Sequence, residues 1–396
     1  MATKNYLQKY IIPTTPLNWL KVIIGLAFLS QMLLSNQLWH SAVRSYPFVP
    51  MIGNSSFFAT YFIQVICFIP LIISSLSLIF FSKSKMSSIA FFCVLGVYFF
   101  QDVVSIQAWS YQYFMMILVI LISHFYKKEE KNITFSLQLI VGLTYIWSGI
   151  HKVNIMFPEL VFSWMMESYN WLKPLSEVIW FGYLVAIFEI LLGIGLFFKR
   201  FRRLFVWLSV VFHVSIISLL AGHNWNVVVY PWNLAMIAFN FVLFYKKEDN
   251  PTIIKWKPFF EEKRKSIITI LVVSLFGIAP LLNFFELYDN QLSLKMYSGV
   301  SNDCVIYFED TDLECVKNVV ETDVYYNELT QKMELSLDDW AFEELKTPTY
   351  AGLWYYKKLA KKVCDCVESE KAGILIKKVH RWDWEESQYQ ISCKEL

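Results

Sequence analysis

The decapeptide YIWSGIHKVN, Tyr145–Asn154, ends a long apolar segment with a histidine and a lysine side by side. A lysine in a partly dry pocket loses its charge, because desolvation disfavours the ammonium. The neutral amine is then a general base or a nucleophile. A protonated His151 next to Lys152 pushes in the same direction. Other polar side chains recur in apolar surroundings: Gln101 and Asp102, Ser110 and Tyr111, Glu189, His213, His223 and Asn233. A charge at mid-membrane costs about 2.5–3.5 kcal/mol, so such residues normally face a cavity or a partner. Each also has a plainer reading. Lys152 can snorkel to the headgroups. Asp102 can be a counter-ion to Lys152 or simply end a span. His213 can pack as a neutral core residue, and Glu189 can hydrogen-bond within a bundle while protonated. Trp109, Tyr230 and Trp232 suit an interfacial aromatic belt.

The elements that must position these residues are apolar helices. Of 396 residues, 56% are hydrophobic and only 17% charged, against ~45–50% apolar in soluble domains. Uncharged runs such as Asn54–Phe81 and Met86–Gln101 have the length of bilayer-spanning helices. Nine candidate spans run over roughly 17–35, 56–81, 87–106, 109–126, 134–154, 177–198, 203–222, 227–245 and 266–284. The first lies too far into the chain, and lacks a small-residue cleavage site, to be a cleavable leader, so it reads as a retained anchor.

Cations cluster at the N-terminus and in every even-numbered loop: Lys4 and Lys9; Lys83 and Lys85; Lys127, Lys128 and Lys131; Lys199, Arg200, Arg202 and Arg203; then Lys246, Lys247, Lys255, Lys257, Lys263, Arg264 and Lys265. The odd loops hold little beyond Arg44 and Lys173. The positive-inside rule then expects a cytoplasmic N-terminus and an outer C-terminal tail. This arrangement puts Lys152, His151, Asp102, Tyr111 and His223 near the outer ends of their spans, which suggests one outward-facing cavity. With a net charge of +2 and basic residues spread between spans, no nucleic-acid partner is expected.

The fold expected is an α-helical polytopic membrane protein of about nine transmembrane helices over 1–285, with a small extracytoplasmic α+β domain over 286–396. That tail holds five of the seven cysteines, Cys304, Cys315, Cys364, Cys366 and Cys393, on a side where disulfides persist. An odd count leaves at least one unpaired. Cys364 and Cys366 are too close to bridge each other easily, so different partners are expected. The stretch WYYKKLAKKVCDCV has helical spacing with a basic face, and GILIKKVHRWDWEESQYQIS alternates in places as a strand pair does. No histidine stands at ligand spacing beside these cysteines, and no metal is expected.

At these residues the chain resembles a known family. YIWSGIHKVN is similar to the segment of vitamin K-dependent gamma-carboxylases in which a tyrosine-rich span ends in a small residue, two basic residues and an apolar one. PTTPLNWLKVIIG resembles that family's opening, FFQDVVSIQAWSYQY its segment between spans three and four, and FHVSIISLLAGHNWNVVVYPWNLAM its Phe-His segment and Pro-aromatic span start. The resemblance covers roughly residues 13–245, the horizontally transferred transmembrane (HTTM) domain. It implies that Lys152 is the catalytic base, with His151, His213, Asp102 and Tyr111 in support. It also implies a cavity lined by Trp109, Tyr230, Trp232 and Asn233 that holds reduced vitamin K or another quinol. On that model quinol oxidation generates a strong base, which deprotonates a glutamate of a secreted peptide or protein, and the carbanion captures carbon dioxide. The chain departs from the family at Trp109, where the carboxylases have a histidine, and its tail is much shorter. The same resemblance extends to bacterial proteins not shown to carboxylate. The alternative is therefore a non-carboxylating accessory protein for maturation or handling of a secreted peptide, with a transporter as a third reading. A bacterial plasma membrane is the expected location.

Overall fold

In lipid every backbone N–H and C=O must be bonded within its own segment, so the apolar runs become helices. The computed structural model describes residues 12–40, 44–52, 61–125, 130–245, 267–369, 371–384 and 386–396. Of the orienting cations, Lys4, Lys9, Lys127, Lys128, Lys246, Lys247, Lys255, Lys257, Lys263, Arg264 and Lys265 lie outside the described residues. The helices are α1 (Pro16–Leu34), α2 (Tyr61–Phe80), α3 (Lys85–Gln101), α4 (Ala108–Phe125), α5 (Glu130–Lys152), α6 (Trp180–Gly195), α7 (Arg202–Gly222), α8 (Tyr230–Asn240) and α9 (Ile267–Val272). Among the described residues, five stretches are long and apolar enough to cross a membrane: Pro16–Leu34, Asn132–Lys152, Arg202–Gly222, Val227–Tyr245 and Ile267–Phe285. Four shorter apolar helices fall within α2, α3, α4 and α6. The last two of the long stretches include π-helical turns, Phe241–Tyr245 and Val273–Ile278. The chain is a polytopic α-helical membrane protein with a small C-terminal mixed α/β domain.

Two compact units form. The first gathers Met1–Gln31, Ile69–Gly96 and Gln107–Ser298. Within it α5 and α6 approach closely because glycines stand where they meet, as small residues do between membrane helices. A Cβ added at Gly149 would lie 2.7 Å from an Ile190 side-chain carbon and 2.8 Å from the Ala186 carbonyl oxygen. One added at Gly193 would lie 2.6 Å from the Gly142 carbonyl oxygen.

The second unit gathers Met32–Phe68, Val97–Ile106 and Gly299–Leu396. Its tail elements are β1 (Asn302–Phe308), α10 (Leu313–Val319), β2 (Tyr325–Asn327), β3 (Lys332–Ser336), α11 (Leu337–Leu345), α12 (Leu353–Cys364), β4 (Gly373–Val379) and β5 (Glu386–Ser392). The strands form one antiparallel sheet in the order β2-β3-β1-β4-β5. The alternating stretch at the C-terminus becomes the β4–β5 pair, with Ile376 opposite Tyr389. Ser336 caps α11 by accepting from the Asp339 N–H at 3.1 Å, and Asp338 and Asp339 fill the first turn, where carboxylates favour the helix dipole. The α12 face bearing Tyr355, Tyr356, Leu359, Ala360 and Val363 is buried with Val305, Ile306, Trp340 and Ile374.

Residues 44–52 and 97–106 are part of this second body. The Glu344 Oε2 atom accepts from the Tyr46 N–H (2.9 Å), Ser45 Oγ (2.8 Å) and Trp340 Nε1 (2.9 Å). Arg44 pairs with buried Asp102. Cys315 bonds Cys366 and Cys364 bonds Cys393, with Cα separations of 6.1 and 5.3 Å. The C-x-C cysteines thus go to different partners. Cys304 is a buried free thiol, and burial pushes its pKa up, which leaves it unreactive.

Two predictions follow from this packing. Gly149→Ala forces α5 and α6 apart at backbone level and should cost about 1–3 kcal/mol, as overpacking does. Gly96→Ala meets only the Phe114 ring at 3.5 Å and should be neutral or stabilising by up to about 1 kcal/mol. Thermal unfolding in detergent separates the two. The second concerns pH. Burial, with Asp303 and Asp339 nearby, raises the Asp338 carboxyl to about 7 from 3.8. The folded tail therefore holds a proton that the unfolded chain releases, and tail stability falls as pH rises from about 4 to about 7. Asp338→Asn should flatten that slope in hydrogen exchange of tail amides measured across the same range.

Candidate functional site

Tyr145, Ser148 and Lys152 stand at i, i+3 and i+7 on α5, so they share one helix face. Lys152 lies in the last turn of α5. Its Nζ donates to Ser148 Oγ at 2.6 Å, to the Ser148 carbonyl at 3.3 Å and to Glu189 Oε2 of α6 at 2.8 Å. Three acceptors meet the three protons of an ammonium. Both members of the Lys152–Glu189 pair are buried, and the ammonium lies 5.9 Å from the Phe157 ring centre. Glu189 is thus the counter-ion of Lys152.

Two turns before Lys152 on the same face, Tyr145 joins a second network. Asn233 of α8 donates its Nδ2 to the Val229 carbonyl at 2.9 Å, which leaves its Oδ1 to accept. His213 of α7 then carries its proton on Nδ1, 2.7 Å from Asn233 Oδ1. Its Nε2 lies 2.6 Å from the Tyr145 hydroxyl, with which it shares a hydrogen bond. Asn240 donates to the Tyr145 oxygen at 2.7 Å and to Ser209 Oγ at 2.9 Å. His213 is a doubly bonded imidazole that ties α5, α7 and α8 together.

A third network uses Trp232, whose Nε1 donates to Gln112 Oε1 of α4 at 2.7 Å. Gln112 in turn donates to Thr144 of α5 at 3.1 Å.

The remaining expected residues are distributed. His151 is fully buried, stacked 5.3 Å from Phe284 and 5.7 Å from Trp147. Tyr111 stacks on Phe276 at 5.0 Å. Trp109 packs against Phe28 and Tyr113. Tyr230 is half-buried at the start of α8. Asp102 belongs to the second unit, where its partners are Arg44 and the Val49 N–H, and Arg44 is its counter-ion. His213 and Asn233 come together; the sequence alone gives Glu189 a hydrogen bond within the bundle but no named partner, and it does not single out Ser148, Gln112, Thr144 or Asn240. For Ser148 the signal is its place one turn before Lys152 on α5; Glu189, Gln112 and Asn240 stand on other helices, and nothing local marks them as partners. Among the described residues, no group of three or more His, Cys, Asp or Glu side chains is placed to hold a metal ion.

With this geometry in view, the comparisons with known proteins correct the expected family. Residues 130–227 match a family model described as methylamine utilisation protein MauE. The matched segment contains α5, α6 and α7, hence Lys152, Glu189 and His213, and none of the tail. It covers about a quarter of the chain. The expected HTTM membership is overturned by this match. The gamma-carboxylase and lyase readings fall with it, as does the ground for expecting vitamin K or another quinone. The physical reason lies in the motifs themselves. Aromatic, small and basic residues at the end of a membrane helix serve packing and ion pairing here, and Lys152 bonds Glu189 and Ser148. No curated protein and no solved structure matches the chain.

Proposed function

We propose that this chain is a non-carboxylating accessory protein of the membrane that takes part in the maturation or handling of an exported polypeptide. The helical bundle is its platform and the disulfide-bonded tail its working module. The observation that carries this reading is the tail's covalent framework. Two crossing bonds, Cys315–Cys366 and Cys364–Cys393, fix a sheet whose last strand β5 pairs on one side only. Disulfides persist in oxidising compartments, so the tail belongs where exported polypeptides are found. The distribution of cations between spans supports the same sidedness, with nine crossings, the N-terminus inside and the tail outside. The match over residues 130–227 to a family described by methylamine utilisation agrees with a role other than glutamate carboxylation. Chemistry at Lys152 is not needed, since its charge is balanced within the bundle.

The test compares exported proteins by mass spectrometry in four strains: intact chain, no chain, Cys364→Ser/Cys393→Ser, and Lys152→Met/Glu189→Leu. The expected outcome is an exported protein lost or incompletely matured without the chain and in the cysteine variant, but retained in the Lys152/Glu189 variant. An exported set identical with and without the chain would overturn the proposal.

A further inference from the structure

The outer side of α12 faces solvent. Its inner face is used up in the tail core. Its outer face runs Leu353, Trp354, Lys357, Lys358 and Lys361, at i, i+4 and i+8 spacing along one side. Leu353 and Trp354 are 52% and 42% exposed. Lys358 stands 5.4 Å from the Trp354 ring centre, which groups the charge with the aromatic. Lys361 pairs with Asp365 at 3.4 Å, a solvated pair of a kind worth little. The stripe therefore keeps a net positive charge next to two exposed apolar side chains.

A second observation concerns where this helix is anchored. Lys362 donates to the Ser45 carbonyl, and the Tyr355 hydroxyl reaches that of Tyr46 at 3.5 Å. Ser45 and Tyr46 lie on the connection between α1, which ends at Leu34, and α2, which begins at Tyr61. All of these residues belong to one compact unit. The helix is thus held against the connection between two apolar helices, the kind of segment that lies at a membrane surface when both helices cross.

We propose that the outer face of α12 docks on anionic phospholipid headgroups of the membrane that the chain spans. Lys357, Lys358 and Lys361 meet the phosphates, and Leu353 and Trp354 enter the interfacial layer, where Trp is favoured. Basic residues near an anionic bilayer each contribute enough to matter, and the attraction fades with salt. The proposal does not depend on the accessory role.

The full chain is reconstituted in lipid nanodiscs of phosphatidylcholine alone, and of phosphatidylcholine mixed with phosphatidylglycerol. Labelling of individual lysines by an amine-reactive reagent is then followed by mass spectrometry. Lys371, an exposed lysine of the same domain, is the internal reference. In the anionic discs, labelling of Lys357, Lys358 and Lys361 relative to Lys371 should fall about fivefold, the factor expected from the strength of each basic contact. High salt should restore it. Leu353→Ser/Trp354→Ser should reduce the protection without changing Lys371. Equal relative labelling in the two discs overturns the proposal. So does protection by soluble polyglutamate in the neutral discs with none from anionic lipid, which would assign the stripe to an acidic polypeptide.

Discussion

The ion pair between Lys152 and Glu189 is the constraint around which the bundle is arranged. Removing either charge from water costs several kcal/mol, and the attraction repays this only when geometry is good and the remaining protons are bonded. Both conditions are met. Glu189 lies at 2.8 Å and Ser148 supplies two further acceptors. Neither would hold if α5 and α6 stood further apart, and Gly149 and Gly193 are what allow the approach. The backbone contact, the pair and the helix face that also carries Tyr145 form one chain of dependence. His213 extends it to α7 and α8 through the Tyr145 hydroxyl and Asn233, and Asn240 brings in Ser209.

The second unit solves a related problem with its own parts. Asp102 is buried, and Arg44 neutralises it. Glu344 is buried too, and its Oε2 gathers three donors from two parts of the chain far apart in sequence. The two disulfides close loops with sequence separations of 51 and 29 residues, worth about 4 kcal/mol each in the chain-entropy account. They overlap, so their effects are not additive. A domain of this size has a modest core, and the covalent bonds reduce what that core must supply.

Much of this was legible in the sequence, for identifiable reasons. A bilayer-length apolar run can hardly do anything but become a helix, so the spans and the polar tail were readable. The alternation before Ser392 and the helical spacing before Cys364 revealed β4, β5 and α12. Pairing between helices was not readable. Glu189 is 37 positions from Lys152 and Arg44 is 58 from Asp102, and nothing local marks either as a partner. Asp102 looked like a companion of Lys152 because both were placed at outer span ends, yet each has a different counter-ion. Gln112 and Thr144 look unremarkable until Trp232 is brought to them. The resemblance to carboxylases misled for the same reason, since short aromatic and basic motifs at helix ends report depth in the membrane rather than chemistry.

The most direct measurement is a double-mutant cycle on the pair, using Lys152→Met, Glu189→Leu and both together, by unfolding in detergent. If the pair closes the bundle, each single change leaves a buried uncompensated charge and costs about 3–5 kcal/mol, while the double variant returns close to the parent. Singles that are near neutral, or costs that simply add in the double variant, would contradict the account.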